Sequence, residues 1–195
     1  SADCPVMNKR PKKSDNRVKD RRVQKTKQLL SEALVELILE KGYEEVSVAD
    51  ILDRANVGRS TFYAHYENKG QLLLFGHEHL RNLAIKEGAK EIDFVSFYQH
   101  LSDRHRLAER LLTGSESAGI VTRSLHDILL VGIARLFAAP HRSSSETAMQ
   151  RLLCEAAAAA LVQLMTAWIR GGMPNSPAIM ATESTALMQR MLKIP

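Results

Sequence analysis

The stretch that decides the fold is SVADILDRANVGRSTFYAHYENKGQLL, residues Ser47 to Leu73. Ser47 stands just before an apolar pattern and Asp50 follows three residues later, at the spacing of a helix capping box. Apolar residues at positions 48, 51, 52 and 55 predict a short amphipathic helix. Asn56-Val57-Gly58 then predicts a turn, because Asn tolerates the left-handed conformation that closes a helix and Gly can begin the next one. A second short helix starting near Arg59 completes a helix-turn-helix.

The second helix of such a motif can enter the major groove of DNA. Here it runs from Arg59 to about Ala64 or Tyr66, with Phe62 as its apolar anchor. An arginine can contact a guanine edge or a phosphate, whereas hydroxyl and imidazole groups donate to phosphate oxygens. Lys69 begins the next helix, where the helix dipole also favours a phosphate. The predicted DNA-contact residues are Ser47, Arg59, Ser60, Thr61, Tyr63, His65, Tyr66 and Lys69. The alternative is a helical hairpin that never contacts DNA.

The positive charge is concentrated at the amino terminus. The 195-residue chain carries a net charge of +5. Residues 1–27 hold ten Lys or Arg against three Asp, a net +7, and the remainder is therefore −2. A basic cluster next to a helix-turn-helix is the electrostatic pattern expected beside a phosphate backbone. Pro, Lys, Asn and Ser without periodicity predict a disordered basic arm over residues 1–19, and the alternative is a solvated tail with no partner.

Helical periodicity continues along the rest of the chain, and no segment has the pattern of a strand. Ala and Leu are abundant and aromatics are few, which favours helices. We therefore predict an all-α protein of about nine helices. A helix-turn-helix domain occupies residues 20–68, and a larger helical regulatory and dimerisation domain occupies residues 69–195. The candidate helices of the larger domain are Phe94–Leu101, Arg104–Leu112, Ala118–Phe137, Thr147–Arg170 and Pro177–Leu192, after a helix that begins near Lys69.

The amino-terminal third resembles the TetR family of bacterial transcriptional regulators. The resemblance covers about Arg22 to Leu83. It departs from the family pattern at Asn56, where Gly is usual, at Gly58, where Ser is usual, and at Tyr66, where Phe is common. The residues that carry it, in the family's order and spacing, are Ser47-Val48, Ile51, Val57, Thr61-Phe62-Tyr63, His65-Tyr66, Lys69 and Leu72.

This resemblance implies a cytoplasmic homodimer that binds a palindromic operator and acts as a repressor released by a small-molecule effector. The last two long helices, Thr147–Arg170 and Pro177–Leu192, would pair with a second subunit. The small-residue run from Ala156 to Ala160 agrees, since it lets helices approach closely, although it can also pack within one subunit. A ligand pocket in the larger domain would be lined by Phe97, Tyr98, Leu101, Phe137, Met165 and Trp168, although such positions are more often plain core.

Other classes have less support. We expect no metal site, because His77 and His79 are two residues apart on a helix and point in different directions. No cofactor motif, nucleophile–base pair or phosphate-binding glycine loop is present, so we expect no enzyme. No charge-free apolar run reaches the length of a membrane span. Two rivals remain open. One is an interaction module that acts on a partner protein without a ligand, and the other is an enzyme hidden in the carboxy-terminal bundle.

Overall fold

The computed structural model describes residues 13–86, 91–136 and 144–192, and within these ranges it consists of α-helices joined by turns and short connectors. The described residues form nine helices. The first four are α1 (Lys13–Lys41), α2 (Val48–Ala55), α3 (Arg59–Tyr63) and α4 (Lys69–Ala84), and the others are α5 (Phe94–Asp103), α6 (His105–Thr113), α7 (Ser115–Leu136), α8 (Ser144–Arg170) and α9 (Pro177–Leu192). The predicted helical class is confirmed, and the predicted bounds of α9 match.

The first helix begins earlier than the sequence predicted. The expected arm reached residue 19, yet α1 starts at Lys13. The segment from Lys13 to the end of α1 has no Pro or Gly, and its Lys and Arg are good helix formers. Residues 1–12 of the predicted arm lie outside the described residues, as does Phe137 of the predicted pocket.

The helix-turn-helix is held by a small apolar core at the amino-terminal end. Helix α1 contributes Leu30, Leu34 and Ile38, which are fully or almost fully buried. Ile51 of α2 and Phe62 of α3 pack against them with no exposed surface. Because α1 also packs against α4 and α6, the same helix belongs to the cores of both parts of the molecule.

The larger part is built from α5 to α9 with α4 and α1 against one side. Helix α7 packs against α4, α6 and α8, while α5 lies along α9. Two helices, Ser115–Arg135 and Ala148–Arg170, have the length and composition of a membrane span, which the sequence analysis did not expect. Core helices of soluble proteins meet the same criterion, and these two pack on one another. The observation is therefore weak evidence for a membrane.

Candidate nucleic-acid interface

The start of α2 is fixed by a capping box, as the sequence predicted. Ser47 Oγ accepts a hydrogen bond from the Asp50 backbone N–H at 3.1 Å. Asp50 Oδ2 accepts one from the Ser47 N–H at 2.8 Å and lies 2.9 Å from Lys41 Nζ. Hydrogen bonds from Lys41 and Ser47 hold the pKa of the Asp50 carboxyl well below its ordinary value. These contacts stabilise the entry into the helix-turn-helix, where two backbone donors would otherwise have no partner.

The turn between α2 and α3 depends on two residues that the sequence singled out. Asn56 closes α2 in the left-handed conformation, with φ of 51°. Gly58 is the N-cap of α3 in an extended conformation and supplies no side-chain cap. Asn is one of the few residues other than Gly that adopts left-handed dihedral angles readily. Asn56 therefore serves where the family usually has Gly.

Two ion pairs orient α2 against α1. The Arg54 guanidinium lies 2.7 Å from Glu40 Oε2 and 3.0 Å from Glu36 Oε2. The hydrogen bond from Arg54 lowers the pKa of the Glu40 carboxyl. Glu36 and Glu40 are four residues apart on one face of α1, and this spacing could have predicted that the two carboxylates pair with a basic side chain.

Helix α3 turns one side into the core and the other to solvent. Phe62 is fully buried and its ring meets those of Tyr63 and Tyr66 at 5.3 and 5.7 Å. Arg59, Ser60 and Thr61 are exposed, and Tyr63 is 49% exposed. The Arg59 guanidinium lies 5.9 Å from the centre of the Tyr63 ring. The four exposed residues therefore form one polar surface, which we call the α3 face.

Two other predicted DNA-contact residues lie near this surface. Ser47 is exposed, although its hydroxyl already takes part in the capping box. His65 is half-buried just beyond α3, with its ring 6.3 Å from that of Tyr66. Both residues can still approach a phosphate, but Ser47 would have to share a hydroxyl that already has two local partners.

Tyr66 does not belong to the exposed surface, contrary to the sequence prediction. Only 6% of the residue is exposed, and its ring packs against Phe62 and Phe75. Its hydroxyl is buried without a hydrogen-bond partner among the described residues. Burial raises the pKa of Tyr66 to about 12. Tyr66 lies four residues after Phe62 and on the same side of the chain. Its ring therefore packs in the core.

Lys69 is also directed into the protein. Its ammonium donates to the backbone oxygens of Tyr43 and Glu44 at 3.0 and 3.4 Å and lies 3.7 Å from Glu116 Oε2. It also sits over the Tyr43 ring, 4.2 Å from the centroid. Only 17% of the side chain is exposed. The ammonium is therefore held by partners from distant parts of the chain, and the predicted contact with a phosphate stays a prediction.

Sequence reasoning missed the contact between the α1–α2 connector and the start of α7. Glu44 Oε1 accepts hydrogen bonds from the Ser117 backbone N–H at 3.1 Å and from Ser117 Oγ at 3.0 Å. Burial opposes ionisation, but the hydrogen bonds from Ser117 outweigh it, and the pKa of the Glu44 carboxyl is lowered. Together with Lys69 and Glu116, this contact joins the helix-turn-helix to the larger bundle. Nothing in the local sequence around Glu44 points to it.

The basic half of α1 extends away from this core. Arg21, Arg22 and Lys25 are exposed, whereas Lys27 lies 5.3 Å from the centre of the Phe75 ring. No acidic side chain in the described part of the chain forms an ion pair with these four residues. Helix α1 therefore presents a positively charged surface in addition to the polar α3 face.

Comparison with known proteins identifies this helix-turn-helix. Residues 30–74 match the family model for bacterial regulatory proteins of the tetR family. The helix-turn-helix of this chain is therefore similar to that of TetR-family regulators. A 55-residue stretch is 42% identical to the uncharacterized HTH-type transcriptional regulator YxbF of Bacillus subtilis (strain 168). That stretch makes up 28% of this chain and spans 14% of the length of the curated relative it matches.

Solved structures extend the likeness to most of the fold. The dihydroxyacetone kinase operon activator DhaS superposes with a TM-score of 0.62 at 18% identity, covering 87% of this chain and 97% of that one. A TetR transcriptional regulator from Streptococcus agalactiae 2603V gives 0.54 at 21% identity, covering 91% and 98%. At these identities the likeness concerns the fold, a TetR-type helix-turn-helix followed by a helical domain.

Most of the residues predicted to line a ligand pocket in the larger domain lie in its core, and the predicted pocket stays a prediction. Phe97, Tyr98, Met165 and Trp168 are core residues with at most 4% exposure. Tyr98 meets the Trp168 ring edge-on at 5.2 Å, and its hydroxyl lies 2.7 Å from Ser184 Oγ. The Trp168 indole N–H donates to the Asn175 carbonyl at 3.0 Å. These side chains fill the space between α5, α8 and α9. Leu101 is the one described residue of the predicted set that lines the cavity between α1, α4, α5, α6 and α7.

The two histidines next to Glu78 diverge, as the sequence predicted. His77 Nδ1 lies 2.9 Å from Ser124 Oγ of α7, while the His79 ring faces His100 of α5 at 5.4 Å. Burial, with a smaller contribution from His100, lowers the pKa of His77 to about 4. No group of three metal-ligating side chains is brought together anywhere in the described ranges. The His77 ring is mostly buried between α4 and α7.

The outer side of α8 and α9 is apolar and without a partner among the described residues. Met149 and Leu152 of α8 are 59% and 65% exposed, and Ile179 of α9 is 51% exposed. Within the small-residue run, Ala157 and Ala158 are buried while Ala156 and Ala159 are exposed. Two of the five alanines therefore pack inside the subunit, two are exposed, and Ala160 is half-buried.

Proposed function

We propose that the chain is a cytoplasmic, sequence-specific regulator of transcription that binds double-stranded DNA through the α3 face. The observation that carries this proposal is the division of α3 into a buried anchor, Phe62, and an exposed polar side within a helix-turn-helix similar to that of TetR-family regulators. Such a division presents hydrogen-bonding groups on a rigid support, which is what major-groove recognition requires.

Within this proposal, Arg59 is the candidate for contact with a base, because a guanidinium matches the two acceptors on guanine. Ser60, Thr61, Tyr63 and His65 donate to phosphates and fix the position of the helix. Arg21, Arg22 and Lys25 add phosphate contacts that do not depend on sequence. Tyr66 and Lys69 are omitted, since they contact the protein itself.

We further propose a homodimer that pairs α8 and α9 with the same helices of a second copy. These two helices carry the exposed apolar residues Met149, Leu152 and Ile179 and the exposed Ala156, and exposed apolar residues of this kind suit contact with a second copy. A two-fold axis would present two α3 faces to a palindromic operator with half-sites about one helical turn apart.

The proposed mode of regulation is repression that an effector relieves. The Glu44–Ser117 and Lys69–Glu116 contacts tie the helix-turn-helix to α7, so a change in the larger bundle would alter the placement of α3. An effector can act only by binding better to the arrangement that does not fit DNA. The family resemblance supports repression as the direction of the effect.

Selection of DNA sequences from a random pool, followed by footprinting on the selected site, tests the proposal. We expect a palindromic site, protected on one face of the duplex. The Arg59→Ala protein should lose base preference. The matched variant Arg106→Ala, which changes an exposed arginine of α6, should select the same site as the wild-type protein. Failure of the wild-type protein to enrich any sequence, at low and moderate salt, would favour the interaction module that acts on a partner protein.

A further inference from the structure

A cavity of about 120 Å³ lies where the helix-turn-helix meets the larger bundle. Its walls come from α1, α4, α5, α6 and α7, with Ile169 of α8 at one end. Helix α1 contributes Leu34 and Val35, and α6 contributes Leu107 and Leu111. The cavity therefore has one wall in the DNA-binding part of the molecule and the others in the part that would regulate it.

The chemistry of the lining is mainly apolar. Leucines and valines supply most of the surface, and the polar residues are Ser31, His77, His100 and Arg104. Burial lowers the pKa of His77 to about 4 and also lowers the pKa of His100, which disfavours the charged form of both rings. Arg104 is thus the one charged residue of the lining, which contains no Asp or Glu.

Three of the four polar lining residues lie at one opening. Ser31, Val35, Gly76, His100 and Arg104 line both the cavity and an adjoining surface groove. No carboxylate among the described residues forms an ion pair with Arg104. The groove also carries Glu32, Glu36 and Glu78, of which Glu36 is paired with Arg54, and the Asp103 carboxylate lies close enough to act on His100. Because Arg104 is the one Lys or Arg in either lining and no carboxylate lines the cavity itself, an anionic group would find its counter-charge at Arg104, on the inner edge of the opening.

The volume limits the size of the occupant. An engineered apolar cavity of about 150 Å³ holds a benzene molecule. A space of 120 Å³ lined by leucines suits one aromatic ring or a short aliphatic chain. A charged group inside the cavity would lose its hydration and find no counter-charge there. The charge of a ligand must therefore stay at the opening.

From these observations we infer that the cavity binds a small amphipathic carboxylic acid. Its apolar body would lie among Leu34, Leu72 and Leu111, and its carboxylate would contact Arg104 and His100. This inference builds on the proposed function, because it identifies the cavity as the effector site. A ligand there touches α1 and α6 together, so its binding changes how the helix-turn-helix is held against the bundle.

Calorimetric titration of the full-length protein with benzoate and hexanoate, and with neutral benzyl alcohol, provides the test. We expect saturable binding of at least one of the two acids, about three- to tenfold tighter than benzyl alcohol. Arg104→Gln should abolish that preference. Arg106 is also exposed but lies on α6 outside the cavity, so Arg106→Gln should keep the preference for the acids. Ala108→Phe, which fills the cavity, should abolish binding of all three compounds, and its thermal unfolding shows whether it is folded.

Three outcomes overturn the inference. They are absence of saturable binding for both acids, equal affinity for the acids and the alcohol, and undiminished binding by folded Ala108→Phe. If Ala108→Phe does not fold, comparison of Arg104→Gln with Arg106→Gln decides alone. Operator binding is measured in parallel without any acid. A protein that binds DNA but no acid refutes the ligand site alone, whereas one that binds acid but no DNA refutes the proposed function.

Discussion

At the scale of single residues, Lys69 distinguishes a contact within the protein from a contact with DNA. Its ammonium has two backbone carbonyls, an aromatic ring and Glu116 around it. We expect Lys69→Ala to lower the free energy of unfolding by about 1–2 kcal/mol, because it leaves buried acceptors without a donor. Chemical denaturation measures this loss. Lys86→Ala removes an exposed ion pair with Asp93 and should cost much less.

The same variant tests whether Lys69 also contacts DNA. A lost phosphate contact would reduce the slope of log affinity against log salt concentration by about 1. We expect the slope of Lys69→Ala to equal that of the wild-type protein in band-shift titrations over several salt concentrations. A smaller slope would show that Lys69 leaves its internal partners when DNA binds.

Arg59 and Tyr63 should give opposite signatures on the α3 face. Arg59→Ala should relax base choice at one position of each half-site, at a cost of about 1–3 kcal/mol for the preferred base. Tyr63→Phe should weaken binding to all sequences alike, because it removes a donor to a phosphate. Band shifts on the selected operator and on single-base variants measure both. A uniform loss for Arg59→Ala would mean that Arg59 contacts only the backbone.

At the scale of helices, local signals predicted most boundaries. The capping box of Ser47 and Asp50, the left-handed Asn56 and the Gly-Gly turn after α8 all act over a few residues, so the sequence shows them. The lining of a cavity is harder to predict from sequence, because the sides of helices that face one another depend on how distant helices pack. Phe97 and Tyr98 were correctly expected to be apolar positions of α5, but that side of α5 meets α8 and α9 rather than the cavity.

Two glycines should respond in opposite ways to the same substitution. Gly42 ends α1 with φ of +85°, where a side chain is strained whatever the space. Gly119 lies inside α7, and a Cβ there would meet nothing within 4 Å. We expect Gly42→Ala to destabilise by about 1–2 kcal/mol and Gly119→Ala to stabilise by up to about 1 kcal/mol. Urea denaturation measures both. Equal effects would mean that the end of α1 relaxes in solution.

The contact of α4 with α7 should make stability depend on pH. The pKa of His77 is lowered from 6.5 to about 4 by burial, so between these values the unfolded chain binds the proton and the folded chain does not. Stability is therefore full above about pH 6.5 and falls as the pH is lowered towards 4, by up to about 1.4 kcal/mol per pH unit. His77→Gln should flatten this slope in denaturation series at pH 7 and 5. The exposed His105→Gln should leave it unchanged.

At the scale of the whole molecule, the apolar side of α8 and α9 predicts the oligomeric state. Leu152→Glu places a charge on that surface, and we expect a monomer by light scattering after size exclusion. Affinity for a two-half-site operator should fall by about a hundredfold, because each half-site would then bind alone. Leu74→Glu alters a 40% exposed apolar residue on α4, away from α8 and α9, and should leave the dimer intact. A dimeric Leu152→Glu protein would place the interface elsewhere.

The division of α3 between one buried anchor and an outward surface also bears on how such a regulator can diverge. Arg59, Ser60 and Thr61 contribute little to the core, and surface substitutions of this kind usually change stability by no more than about 0.5 kcal/mol. Under the proposed function, mutation can therefore explore new operator sequences almost without a folding constraint, while Phe62 and Tyr66 preserve the support. One set of side chains on the five-residue α3 would then determine which DNA sequence is bound, and a different set, on α3 and just after it, would maintain the fold.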